Sequence, residues 1–507
     1  MSFERFAAPG RALAPRARAN RAAAPASTPA APGKLRKWRF NACASVSAMT
    51  FPTGPRASRR TLLLTSLAAA GAGGLALIGG ARFKRIIARH TQLKSFAATP
   101  TLIADDPVRD RAKVFIAQGG TPASNVDEVL AKMGGIETVV GAGDVVVVKV
   151  SAQWWNQGMT NVAAVKRLVE SVLSRPSFAG EVIVFENTHF RTPDGSGLSR
   201  AWTHPSVRNV DVPGWTKMGD LIPHFEKLGA PVSFVGLIDA GPSSLSNDGW
   251  HDPGHLHGVY GGDGRGPIGA GEDRDGYHWD FGRTFSLAKS WVDEARTPLT
   301  WPRFTSPRSG LVVDLKDGVF RREEGRLPEA GRKLTWINMT TANEHGSTGF
   351  TGACKSPMGI VDMSAGELGT HPLARGYRSV HYFGRGNPSA TWRMAGPLAY
   401  FAREVRAPDL ILTVAEWVAF QPGSDDGDED IRHSARTCVQ KKTIVAGKDP
   451  IAIDAWVVRN LMSEFPSAKE GGDLALDDPN SKVCKFLRYY REVYGQGTLQ
   501  AGLIEVS

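Results

Sequence analysis

The densest chemistry in this chain lies in one run: His345-Gly346-Ser347-Thr348-Gly349-Phe350-Thr351-Gly352-Ala353-Cys354-Lys355. It follows a strand-like segment at 334–339. A glycine- and threonine-rich loop offers backbone N–H groups and hydroxyls to an anion, and Lys355 adds positive charge. The carboxyl end of a parallel strand is where α/β folds hold their ligands. The run therefore predicts a phosphate or carboxylate site. The plainer alternative is that the glycines only make tight turns and His345 closes a buried polar network. Lys149 ends a hydrophobic strand, where it must emerge or be paired, because burying its charge alone is very costly. If it emerges, it faces the same crevice. Asp449 precedes a proline at a helix start, and N-capping accounts for it. Asp454 follows inside that helix among apolar neighbours, where a carboxylate needs a partner.

A second constellation is His251, His255 and His257, with Asp248, Asp252, Asp263 and Asp280 nearby. Its spacing could present two or three imidazoles to one divalent metal, with a metal-bound water as the reactive species. Solvated loop histidines are the alternative. The acidic turn at 425–430 lacks the ligand alternation and closing glutamate of a calcium loop. No nucleophile elbow, Walker loop, Rossmann glycine fingerprint or His-Glu-x-x-His is present, which disfavours serine hydrolase, NTPase, dinucleotide dehydrogenase and zincin.

These groups need a scaffold. Val145-Val146-Val147-Val148-Lys149-Val150 and Glu181-Val182-Ile183-Val184-Phe185-Glu186 are short β-branched runs typical of strands buried on both faces. Between them, 161–173 carries Val162, Val165, Leu168, Val169 and Val172 at helical spacing, with Thr160 as the expected cap. Strand, helix and strand at these lengths form a βαβ unit. Further strands are expected at 232–238, 310–314, 334–339, 410–414 and 443–446. Helices are expected at 125–135, from Asp449-Pro450 to Met462, and at 481–494, the last packed on the outside. The expected fold is α/β, a mostly parallel sheet with helices on both faces. It spans 99–462, with a Gly/Asp/His-rich loop insertion at 241–280 and a helical tail at 463–507.

The 507 residues carry a net charge of +11, but its location removes a nucleic-acid reading. Residues 1–94 hold seventeen Lys and Arg and one acid, leaving 44 bases against 49 acids in the body. A mildly acidic body argues against a phosphate-backbone binder. Of the four cysteines, none forms a CxxC, so no iron–sulfur cluster is expected from this chain's own ligands. One disulfide among Cys354, Cys438 and Cys484 would suit an oxidising compartment.

That compartment is read from Ser58-Arg59-Arg60-Thr61-Leu62-Leu63 and the moderately apolar stretch to Ile78, which together read as a twin-arginine signal. Residues 1–57 form a basic extension too poor in apolar residues to bury a core, with Met49 an alternative start. Residues 58–98 serve as the signal or, if uncut, as an N-terminal anchor. The twin-arginine translocase is then a partner and the body is periplasmic or otherwise extracytoplasmic, with anchoring to the inner membrane left open.

Three segments together resemble the DUF362 family, a bacterial and archaeal group defined as a domain of unknown function. The first is Val147-Val148-Lys149-Val150-Ser151 with Met159-Thr160-Asn161, where the family has a strand ending in Lys-Pro-Asn; Lys149 matches. The second is Ile337-Asn338-Met339 and then 345–359, in which Asn338, His345, Thr351, Lys355 and Gly359 match. Two family lysines before the histidine are Thr341 and Asn343 here. The third, 446–455, is close to the family's Gly-x-Asp-Pro-Val-Ala-Val-Asp-Ala. The resemblance implies an α/β fold and no single activity. Combined with the residue chemistry, it points to His345, Lys355, Lys149 and Asp454 as reactive groups, with Asn338, Thr348, Gly349, Thr351, Gly352 and Asp449 binding a small anionic or metal-linked ligand. Two competing readings stay open. One is a metal-dependent hydrolase or oxidoreductase on His251, His255 and His257. The other is a noncatalytic envelope protein presenting Trp154, Trp155, Trp202, Trp215, Trp250, Trp279 and Trp291.

Overall fold

The computed structural model describes residues 95–96, 110–152, 158–187, 200–203, 205–206, 208–237, 268, 272–287, 296–346, 348–362, 377, 380, 388–419 and 438–507. The twin-arginine segment, His251, His255 and His257, and the acidic turn lie outside the described residues. Two sheets organise the rest.

The larger sheet has nine strands: β2 (Ala112–Gln118), β3 (Val145–Val150), β4 (Glu181–Asn187), β5 (Val232–Leu237), β10 (Leu334–His345), β11 (Gly349–Thr351), β12 (Leu410–Ala419), β13 (Cys438–Gly447) and β14 (Ile504–Val506). Their order is β14-β2-β13-β12-β10-β3-β4-β5, with β11 paired to β10. From β12 through β10, β3 and β4 to β5 all pairs are parallel, and β13 and β2 add antiparallel neighbours. The fold is thus α/β on a mostly parallel sheet, as the strand runs predict.

Each face of this sheet buries its own apolar cluster. On one side Val146, Val148, Val182, Val184, Ile337 and Leu412 meet α1 (Pro122–Lys132), α2 (Val162–Leu173), α3 (Arg200–Thr203) and α4 (Leu221–Lys227). All five predicted apolar positions of α2 are fully buried, each stabilising by roughly 1.5–3 kcal/mol against exposure. On the other side Val145, Val147, Ile183, Trp336, Ile411 and Val445 meet α5 (Ala395–Glu404), α6 (Pro450–Leu461) and α7 (Lys482–Tyr494). The smaller sheet also packs here. It is formed by β1 (Ser95–Phe96), β6 (Gly276–Leu287), β7 (Arg296–Thr305), β8 (Val312–Asp314) and β9 (Gly318–Phe320), and contributes Phe285, Leu299, Phe304 and Val313 to the cluster.

Several local expectations change. The end of the 241–280 stretch is not loop, because Gly276 to Asp280 open β6 and pair with β7. The strand near 310–314 pairs antiparallel with β7 in the small sheet. Asn161, not Thr160, caps α2, accepting from the Ala164 amide. Thr160 instead accepts from the Ser151 amide and donates to the Met339 carbonyl, tying β3 to β10. The helix at 482–494 is more than an outer cover: Phe486, Leu487, Tyr489, Tyr490 and Val493 are buried in the core. Beyond it, β14 pairs with β2 and extends the sheet edge. Cys354 and Cys484 are buried thiols, and no disulfide joins the described cysteines.

Candidate functional site

The chain runs from β3 to β4 and β5 on one side, and from β10 to β12 on the other. β3 and β10 are themselves neighbours, with Lys149 in register with Asn338. Connections therefore diverge between their carboxyl ends, which is where an open α/β sheet leaves a crevice. β10 also overruns its neighbour. β3 ends opposite Met339, whereas β10 continues to His345 and turns back into β11, pairing Asn343 with Thr351 and His345 with Gly349. The sequence places His345 in a loop. The structure keeps it in the strand, because β-branched Thr340 and Thr341 extend pairing to β12 and the hairpin.

The hairpin and the turn after it lay a chain segment over the crevice. Thr348 donates to the Phe350 carbonyl at 2.8 Å, and Gly349 takes a φ of +80°, a conformation that favours glycine. A Cβ there would meet the Asp473 carbonyl at 2.6 Å. Asp454, buried in α6, accepts the amides of Ala353 at 2.7 Å and Cys354 at 2.9 Å. Its two oxygens are therefore occupied in anchoring the turn. Burial pushes its carboxyl up to about 7 despite these bonds. Asp449 accepts from Ile451, Ala452 and Thr498 amides, so it caps α6 and pins the C-terminal segment, with its carboxyl raised to about 6 by desolvation.

Gly352 sits where any side chain would run into the Phe350 ring and the Asp454 carboxylate. Gly352→Ala is accordingly expected to destabilise the fold by about 1–3 kcal/mol through overpacking. The urea midpoint of the purified variant checks this, and an unchanged midpoint would contradict the packing described.

At the crevice floor Lys149 and Glu186 form an ion pair at 3.2 Å, with side chains only 4% and 3% exposed. Desolvation pushes Glu186 up to about 7 against the pull of Lys149. Gly359 closes over this pair, its position lying about 3.0 Å from both partners for any added Cβ. Asn338 is fully buried: its Oδ1 accepts from Ser356 Oγ at 2.7 Å, while its Nδ2 has no partner among the described residues. Lys355, next to Ser356, is half-buried and donates to Thr351 Oγ1 at 3.3 Å. Among the described residues no carboxylate pairs with it. Desolvation and then the charge of Lys149 draw its ammonium down to about 7. His345, also half-buried, is held neutral by desolvation and by Lys355 and Lys482, which keep its pKa well below the ordinary value.

The structure thus brings Lys149, Asn338, Lys355 and the 349–359 segment together at one crevice. Asp454 and Asp449 act on the backbone beneath it. Glu186 and Ser356 were not anticipated. The signal for Glu186 was an acid closing a buried strand beside a strand closed by lysine. Of the tryptophans, Trp202 is buried against Phe234, Trp215 meets His224 edge-on, and Trp279 belongs to the small sheet. The described tryptophans do not form one surface. Among the described residues no group of three or more His, Cys, Asp or Glu is placed to hold a metal, and no helix is long and apolar enough to cross a membrane.

No curated protein matches this chain. Among solved structures, a structural-genomics protein from Thermotoga maritima is similar at 13% identity and a TM-score of 0.28, with 75% of this chain and 60% of that one covered. The lactate racemase apoprotein from Thermoanaerobacterium thermosaccharolyticum is similar at 11% identity and a TM-score of 0.24, covering 69% and 57%. The chain thus spans under two thirds of either structure's length. Residues 330–459, which carry Asn338, the hairpin to Lys355 and Asp454, match the family described as "Domain of unknown function (DUF362)".

Proposed function

We propose that this protein binds a small organic anion, a carboxylate or a phosphate, at the crevice between the carboxyl ends of β3 and β10. The observation that carries the reading is Lys355: a half-buried ammonium with a hydroxyl but no described carboxylate for company. A desolvated cation is costly to leave without a counter-charge, and an anionic ligand supplies one. The Nδ2 of Asn338 is a second donor awaiting an acceptor. Calorimetric titration with inorganic phosphate and with malonate at about pH 6.5 tests the reading. Saturable binding of either, undisturbed by equal chloride, supports it; no binding of both overturns it.

We also propose that the protein works outside the cytoplasm, carried there folded by the twin-arginine translocase. It rests on Arg59 and Arg60 and the apolar stretch behind them. Replacing both arginines with lysine is expected to leave the chain in the cytoplasmic fraction while the native chain reaches the periplasm. Equal export of the two forms would rule the signal out.

A further inference from the structure

The small sheet opens a cavity of about 530 Å³ that shares no lining residue with the Lys355 crevice. Its size falls in the range of small-molecule sites. Register sets His278 of β6 opposite Trp301 of β7, and Arg303 opposite Asp314 of β8. Asp314 is fully buried and organises this wall. It accepts from Trp301 Nε1 at 3.0 Å and Arg303 Nε at 3.1 Å, and His278 Nε2 lies 2.9 Å from its Oδ2. His278 also stacks on Trp301, with centroids 4.9 Å apart and planes 16° from parallel. One imidazole face is therefore covered and its Nε2 is turned to Asp314, while the ring's remaining edge borders the cavity. Half-buried Trp279 and Phe320 complete the apolar lining.

The charged groups around this cavity are compensated within the protein. Among the described residues Arg303 is paired with Asp314, Arg326 with Glu323 and Glu272 with Arg274. Asp273 lies 4.0 Å from Arg322, which Asp275 holds at 2.7 Å, Asp280 lies 3.8 Å from Arg283, and the Lys316 ammonium sits over the Trp301 ring, 4.3 Å from its centroid. Asp280 accepts the amides of Gly282 and Arg283. A quaternary ammonium would call for carboxylates without counter-charges around the rings, and a phosphate for an unmatched guanidinium. The cavity has neither. Its described lining combines the Trp279 and Phe320 rings with carboxylate, guanidinium and imidazole groups, each able to bond to more than one partner. A neutral ring with an apolar face and several hydroxyls matches that lining.

We propose that this cavity binds a neutral saccharide of one or two pyranose units. Full-length protein is titrated calorimetrically with glucose, galactose, mannose, N-acetylglucosamine, maltose, cellobiose and lactose, with choline as the charged comparison. At least one sugar is expected to bind saturably. Trp279→Ala is expected to weaken it at least about tenfold, and Arg326→Ala, at the exposed rim, about threefold. Phosphate affinity at the Lys355 crevice stays unchanged in both variants, so this site and that one succeed or fail separately. Arg326 is 74% exposed in its side chain, so its replacement leaves the fold intact even if Trp279→Ala does not. The proposal is overturned if no sugar binds, if binding ignores both substitutions, or if choline occupies the cavity in their place.

Discussion

Replacing Lys355 with methionine is expected to weaken phosphate or malonate binding at least about thirtyfold at about pH 6.5, equivalent to about 2 kcal/mol. Methionine keeps the length and apolar stem of lysine, so what is lost is the charge. The fold should survive, because the turn that carries Lys355 is anchored by Asp454 through the amides of Ala353 and Cys354, not by the lysine itself. Removing a partly desolvated ammonium is even expected to leave the urea midpoint unchanged or raised. Unaltered affinity in a folded Lys355→Met protein would dismiss the anion site.

The same lysine dictates a pH dependence. Desolvation and Lys149 draw Lys355 down to about 7, and only its protonated form offers a charge to the ligand. For malonate, which is already fully ionised near neutrality, affinity should therefore be level approaching pH 7 from just below and fall above it, approaching tenfold per pH unit. Bound malonate favours the ammonium and carries no ionisation of its own near neutrality, so its binding there takes up protons. Titration in two buffers of different ionisation heat reads that uptake directly. Proton release, or no proton change, would mean that Lys355 is not the group that meets the ligand.

How far the sequence foretells this arrangement differs by element. The β-branched runs of β3 and β4 and the apolar stripe of α2 announce a buried parallel core, because both sheet faces are covered. Asp449-Pro450 marks the start of α6 through local cap chemistry alone. The small sheet is hidden. β6 and β7 contain Gly276, Gly282, Pro298 and Pro302, which read as loop, and only their mutual pairing makes them strands. β2 and β14 meet across nearly the whole chain, a contact no local pattern encodes. At the site, the histidine, the lysines and the glycines stand out by type and spacing. Glu186 does not, since an acid at a strand end reads as solvated until the neighbouring strand supplies Lys149. Asp454 is the instructive case. Its apolar surroundings show that it needs a partner, yet the partners are backbone amides about a hundred residues away, and amides leave no trace in residue identity.

That burial has a large consequence for stability. Asp454 is raised to about 7 by desolvation in the folded protein, whereas an unfolded aspartate titrates near pH 4. Between these values the folded chain holds a proton that the unfolded chain has released, so stability falls as pH rises through this window. Glu186, raised to about 7, acts with the same sign, and each such carboxyl contributes a slope of up to about 1.4 kcal/mol per pH unit. Asp449 adds in the same direction up to about pH 6. Asp314 is lowered and acts oppositely, but only below the ordinary aspartate range. His345 and His224, lowered by desolvation, oppose the acids only below the ordinary histidine range, and Lys355, drawn down to about 7, restores stability as pH rises beyond neutrality. The urea midpoint is therefore expected to be higher at about pH 5 than at about pH 7. Asp454→Asn removes one of these titrations. At about pH 5 it costs about 1–3 kcal/mol, because the asparagine NH2 group faces a buried amide N–H that the carboxyl accepts. Toward pH 7 the two proteins converge, since the native chain alone loses stability through Asp454. Midpoints that stay level from pH 5 to 7, or curves that run parallel for the two proteins, would mean that Asp454 titrates normally and that its burial beneath the Lys355 turn has been misread.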